Sequence, residues 1–177
     1  MKDQPKRVAF LVANEGVEEV ELTEPRAAVE KSGAEAVLIA PKAGPVQTFN
    51  HLDKSQIYAA DVGLGETSAS DFDALVLPGG VANPDELRTD PRAVKFVADF
   101  VRADKPIGVI CHGPWTLVEA DVLRGRTITS WPSLKTDIRN AGGNWVDEEV
   151  VIDANLISSR KPDDLPAFCE AVVNALG

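Results

Sequence analysis

Several things are scarce in this sequence. It carries two cysteines, two histidines, one methionine and one tyrosine in 177 residues, and 18 Lys and Arg stand against 28 Asp and Glu. Two lone cysteines at 111 and 169 give no disulfide framework, and with two histidines they fit no zinc-ligand spacing. No metal and no cofactor is therefore expected, and a reducing cytoplasm is the natural compartment. The net charge of −10 leaves no basic face to neutralise phosphates, which excludes a nucleic-acid-binding surface and an anionic membrane surface. No apolar run approaches the ~20 residues of a spanning helix. The opening MKDQPKR leads straight into a strand-like segment, so no signal peptide is expected. Nothing repeats, and no linker divides the chain; the length fits a single domain over residues 1–177.

What is present has a clear order. Four short runs, 8–12 (VAFLV), 36–40 (AVLIA), 74–77 (ALVL) and 107–110 (IGVI), are continuously apolar. Parallel strands covered on both faces look like this, whereas half-exposed strands alternate. Helical segments fall between them. Residues 91–103 confine Arg92, Lys95, Asp99 and Arg102 to one stripe and leave the rest apolar, so this helix lies broadly on a sheet. Residues 22–32 predict another helix with Pro25 in its first turn and Gly33 as its stop. Further helices are expected at 114–120, at 133–141 and from Pro162 onward, while 47–68 could hold a hairpin or an excursion at the sheet edge. Strands alternating with helices imply a doubly wound, mostly parallel α/β/α sandwich.

In such folds ligands sit at the carboxyl ends of the strands, and three of these ends carry unusual sequence. After 107–110 come Cys111, His112, Gly113 and Pro114. A cysteine on a sharp strand-to-helix turn resembles the nucleophile elbow of hydrolases, with sulfur replacing oxygen, and the helix N-terminus favours thiolate. Cys169 lies within the apolar set of the last helix and reads as core. After 74–77 come Pro78, Gly79 and Gly80, whose free amides could join that of His112 in an oxyanion hole. The third end, 14–21, holds Glu15, Glu18, Glu19 and Glu21. One of these carboxyls, if it entered the cleft, would be protonated by burial and could give a hydrogen bond to the sulfur. Spacing does not select which.

Together these segments resemble the ThiJ/PfpI family of the class I glutamine-amidotransferase-like superfamily, and its PfpI-like general-stress branch in particular. The likeness runs through Asn14, Glu15, Glu18, Val20, Glu21 and Leu22, then 71–80 (DFDALVLPGG), 105–114 (KPIGVICHGP), 122–126 (VLRGR), 140–142 with 145–147 (WVD), and 159–166 (SRKPDDLP). It implies a flavodoxin-like sheet, Cys111 as nucleophile, Glu18 as the glutamic acid bonded to its sulfur, and Gly80 with the His112 amide as oxyanion donors. It also implies that Asp85 of a neighbouring subunit approaches His112, in a homodimer or a hexamer built from it. Two departures stand out: the loop 14–18 (NEGVE) is one residue longer than in the PfpI type, and Asp85 replaces a glutamate.

The activity implied is glyoxalase-III or deglycase-like, acting without cofactor on methylglyoxal, other dicarbonyls or glycated groups. The alternatives are a cysteine endopeptidase using Cys111, His112 and Asp85, and a non-catalytic redox-sensing or holdase protein. Adjacent residues on a sharp turn need not face each other, so His112 is read chiefly as an amide donor. His51 is read as a surface or interface residue.

Overall fold

Strands without polar alternation need cover on both faces, and the chain supplies it with helices on either side. The computed structural model describes residues 4–177. In chain order it runs β1 (Arg7–Leu11), β2 (Glu15–Glu18), α1 (Glu19–Lys31), β3 (Glu35–Ala40), β4 (Gly44–Asn50), β5 (Asp53–Ala60), β6 (Val62–Gly63) and β7 (Ala74–Leu77). It continues with α2 (Ala82–Leu87), α3 (Pro91–Arg102), β8 (Ile107–Ile110), α4 (Pro114–Glu119), β9 (Thr127–Ile128), α5 (Lys135–Asn140), β10 (Asn144–Trp145), β11 (Val151–Asp153), β12 (Leu156–Ser159) and α6 (Leu165–Ala175).

The central sheet has seven strands in the order β11-β12-β8-β7-β1-β3-β6. All pairings in it are parallel except β11 with β12. This is the doubly wound, flavodoxin-like sandwich that the sequence implies. Successive strand residues take opposite faces. Leu11, Ile39, Leu75 and Val109 pack with Phe96, Phe100, Leu117 and Ile138 of α3, α4 and α5. Phe10, Leu38, Val76 and Ile110 pack with Leu22, Val29, Phe168 and Val172 of α1 and α6.

Local chemistry sets the helix ends. Asp90 caps α3 by accepting from the Arg92 amide at 2.9 Å, with Pro91 at the first helical position. The first helix departs from expectation. It begins at Glu19 rather than 22, which places Pro25 in its interior. Proline there gives no hydrogen bond to the carbonyl four residues back, that of Glu21, and its ring crowds the same carbonyl. The segment 47–68 is most of a hairpin of β4 and β5, followed by β6 and one short 3-10 turn. With β2 the hairpin makes a small separate sheet. The last helix starts as a 3-10 turn, Pro162–Asp164, and becomes α-helical at Leu165. Sequence periodicity gave no sign of α2 or of the short strands β9 to β12, whose few residues are too brief for a period to emerge.

Candidate active site

The parallel strands β1, β7 and β8 end side by side, so the three unusual termini converge. Cys111 follows β8 with φ +63°, a left-handed conformation rare for any residue with a Cβ. Such a position costs ~1–2 kcal/mol. The surroundings hold it there: the Cys111 amide donates to the Ser159 carbonyl at 3.1 Å, and its own carbonyl accepts from the Trp131 amide at 2.9 Å. A Cβ on Gly113 would lie 2.8 Å from the Leu77 carbonyl oxygen, so only glycine fits this turn. The elbow geometry expected of the sequence is present.

The carboxyl beside the sulfur belongs to Glu21 and not to Glu18. Glu21 is fully buried. Its Oε1 accepts from the Gly79 amide at 3.1 Å, and its Oε2 is buried without another partner. The Cys111 thiol faces this carboxyl. Glu18 ends β2 and turns toward the cleft wall, where its oxygens accept from the His51 amide at 3.1 and 3.4 Å. Helix register explains the exchange. Once α1 starts at Glu19, Glu21 shares the inward face with Leu22, Pro25 and Val29. A glutamate on an apolar stripe was the available signal, and reading the helix from residue 22 hid it.

Burial pushes the Glu21 carboxyl up to about 8, and the nearby Glu18 charge adds to this. Burial also pushes the Cys111 thiol up, and the Glu21 charge pushes it further, against amide hydrogen bonds from Gly80 and His112. The thiolate expected from a helix N-terminus is thus opposed by desolvation. A proton on Glu21 removes the repulsion and lets the acid donate to sulfur, which lowers the cost of the thiolate while the larger desolvation remains.

The oxyanion donors also need a correction. The Gly79 amide is committed to Glu21, so it is not free for a ligand. Gly80 and His112 amides face Cys111. Gly80 has φ +81°, and a Cβ there would run into the Gly16 carbonyl oxygen and the Glu18 nitrogen. Asn83, buried and not anticipated, staples this loop: it accepts from the Ala13 amide at 2.6 Å and donates to the Pro78 and Gly79 carbonyls.

The His112 ring does reach the sulfur, with Nδ1 3.1 Å from Sγ. It stacks on Trp131 at 5.7 Å and meets Trp115 edge-on at 5.3 Å. Burial pushes it down to about 4, so it is neutral at pH 7. Asp85 is exposed on α2 and pairs with Arg88 at 3.9 Å. Within one chain it offers His112 no carboxylate contact. His51 is exposed, as expected, and with Phe49, Leu52, Val81 and Trp131 it also lines a cleft of about 420 Å³ above Cys111. Cys169 lies half-buried against the α1–α6 core, its thiol pushed up to about 11 by burial. Among the described residues no three His, Cys, Asp or Glu side chains are grouped to hold a metal, and no helix is long and apolar enough to cross a membrane.

A flavodoxin-like sandwich with a strained cysteine at the switch point of its sheet defines a broad class of proteins. The chain belongs to the DJ-1/PfpI family, whose pattern matches residues 6–175. It is 43% identical over 171 residues to "Putative cysteine protease YraA" of Bacillus subtilis, covering 97% of this chain and 98% of that protein. It is 42% identical over 173 residues to protein/nucleic acid deglycase 2 of Escherichia coli, again covering 97% and 98%. Among solved structures, a two-domain protein of Anabaena variabilis with DJ-1/ThiJ/PfpI-like and ferritin-like domains superposes with a TM-score of 0.90 at 36% identity. That match covers 97% of this chain and 50% of the Anabaena protein.

Proposed function

We propose that the chain is a cysteine-dependent enzyme acting on reactive dicarbonyls such as methylglyoxal, or on the adducts they form with amino groups. The observation that carries this reading is the buried Glu21 carboxyl against the Cys111 sulfur. It is a group able to give a proton, take one from carbon, and return it within one small space.

The steps balance without an outside reductant. Cys111 Sγ adds to the aldehyde carbon, and the new oxyanion is met by the Gly80 and His112 amides before taking the Glu21 proton. The product is a hemithioacetal, and Glu21 is now a carboxylate. It removes the proton from the former aldehyde carbon and delivers it to the neighbouring carbon, while the hemithioacetal hydroxyl gives its proton to the ketone oxygen and becomes the thioester carbonyl. The result is a thioester of a 2-hydroxy acid. Water cleaves it, releasing the acid and the thiol. The names of the relatives support carbonyl or peptide chemistry equally, but the neutral, carboxylate-free His112 is a weak general base for peptide cleavage.

The 3.1 Å contact between His112 and Cys111 still favours a second reading, a cysteine peptidase completed by an acidic group from another subunit. One assay separates them. Lactate formation from methylglyoxal should vanish in Cys111→Ser and fall at least ~100-fold in Glu21→Gln. Intact turnover in Glu21→Gln would remove the proton shuttle. Peptide hydrolysis that needs His112 and Asp85, with no lactate formed, would replace the first reading by the second.

A further inference from the structure

Exposed apolar side chains scattered singly over a surface are ordinary, but several gathered at one concave place mark a binding site. Among the described residues the large apolar side chains left exposed are Leu52, Ile57, Val81, Trp131 and Ile152. Three of them, Leu52, Val81 and Trp131, line the cleft above Cys111. They come from segments far apart in sequence: the tip of the β4–β5 hairpin, the loop after β7 and the loop after β9. Phe49 and Pro162 add to the same lining. Packing does not account for Leu52, which is 94% exposed. Trp131 is anchored to the reacting turn, its amide donating to the Cys111 carbonyl and its ring stacked on His112, yet it stays 38% exposed.

The charge in this cleft is one-sided. Glu18 and Glu21 line it, and no Lys or Arg among the described residues does. Arg160 and Lys161, which precede Pro162, are paired with Asp147, Asp164 and Asp163. Lys54 lies opposite Phe49 on the outer strand of the hairpin, exposed and outside the lining. A carboxylate or phosphate on a substrate would therefore enter without a partner.

A cleft of about 420 Å³ is of the size that takes ligands far larger than methylglyoxal. With the aldehyde carbon bonded to Sγ and the ketone carbon next to it, the substituent beyond the ketone is the part left to meet the outer wall. The geometry points to 2-oxoaldehydes with a neutral, apolar, aromatic or branched substituent as the substrates this site selects, packed against Leu52, Val81 and Trp131, with anionic ones rejected. This inference rests on the dicarbonyl reading and names its substrate class.

The test measures acid formation by the full chain from methylglyoxal, phenylglyoxal and 4-carboxyphenylglyoxal, whose ring has the same shape as that of phenylglyoxal but carries a charge. Wild type should show kcat/KM for phenylglyoxal at least ~10-fold above that for methylglyoxal, mostly through a lower KM, because a remote apolar group is bound before and during the reaction. The charged ring should fall at least ~10-fold below the neutral one. Trp131→Ala should shrink the phenylglyoxal-to-methylglyoxal ratio about fivefold, a comparison within one protein that cancels any general damage. Leu52→Lys, at a position with no packing to lose, should raise the charged ring relative to the neutral one about threefold. Equal kcat/KM for methylglyoxal and phenylglyoxal, or a charged ring handled as well as the neutral one, overturns the inference and leaves the dicarbonyl reading standing. Ratios unmoved by both variants overturn it too, since these side chains would then not form the selecting wall. No acid from any of the three probes would sink the dicarbonyl reading itself, and this inference with it.

Discussion

Replacing Glu21 by Gln should make the protein more stable, and increasingly so as pH rises. The native carboxyl holds its proton up to about 8, whereas an ordinary glutamate begins at 4.5. Between those values the unfolded chain has lost this proton and the native chain has not. Unfolding therefore releases a proton there, and raising the pH favours the unfolded state. The penalty is absent below 4.5, grows through the window and levels off above 8. At ~1.4 kcal/mol per pH unit, the displacement from 4.5 to about 8 corresponds to about 5 kcal/mol as an upper bound. Gln keeps an oxygen for the Gly79 amide and carries no charge at any pH. The stability difference between Glu21→Gln and wild type should then grow by roughly 3 kcal/mol between about pH 5 and pH 8. For a chain of this length that is a Tm gap widening by ~6 °C or more. Thermal melts of both proteins across that range check this, and only the change in the difference counts, since other groups titrate equally in both. A gap that stays constant, or that narrows with rising pH, would show that Glu21 is ionised in the native protein and would refute the protonated-acid argument.

Two further outcomes follow from the packing. Gly80→Ala should lower stability by at least ~2 kcal/mol, because a methyl at φ +81° meets the backbone of residues 16–18, and kcat should fall with the displaced amide; denaturant titration and turnover of the folded fraction measure both. Leu52→Ser should leave kcat/KM for methylglyoxal within about twofold but cut it about five- to tenfold for phenylglyoxal, whose ring would lie along the exposed Leu52 wall of the cleft.

Much of this was legible in the chain itself. Runs such as 74–77 and 107–110 coincide with β7 and β8, because a doubly covered strand has no polar alternation to blur its ends. Cys111 stood out because turn residues crowd its C-terminal side. The partner of its sulfur did not, since four glutamates share one segment and only the start of α1 decides which faces inward. Reading Pro25 as a first-turn residue moved that start by three positions. The place of Glu18 followed from a contact with His51, 33 residues away, and no local pattern reports such a pairing. The His112 ring was set aside on a general argument about sharp turns. The left-handed φ of Cys111 brings that ring and the sulfur together after all, walled by two tryptophans whose convergence only the fold creates.

Several unfavourable features of this chain meet at the cleft. Elsewhere the well-covered carboxylates have cations: buried Asp164 accepts from the Arg160 backbone and guanidinium, and Asp99 is shared by Lys95 and Arg102. At the cleft a strained cysteine, a glycine pressed on backbone and two unpaired carboxyls meet, and nothing there is explained by stability. If the carboxyls are one coupled unit, their removal cannot be additive. Each single change, Glu18→Gln or Glu21→Gln, deletes the same repulsion, so the double variant should gain less than the two single gains summed, by about 1 kcal/mol near pH 8 and by nothing near pH 4. Denaturant unfolding of the four proteins at both pH values closes the cycle. Additivity at the higher pH would mean that the two glutamates do not sense each other, and the like-charge part of the rise at Glu21 would have no physical basis.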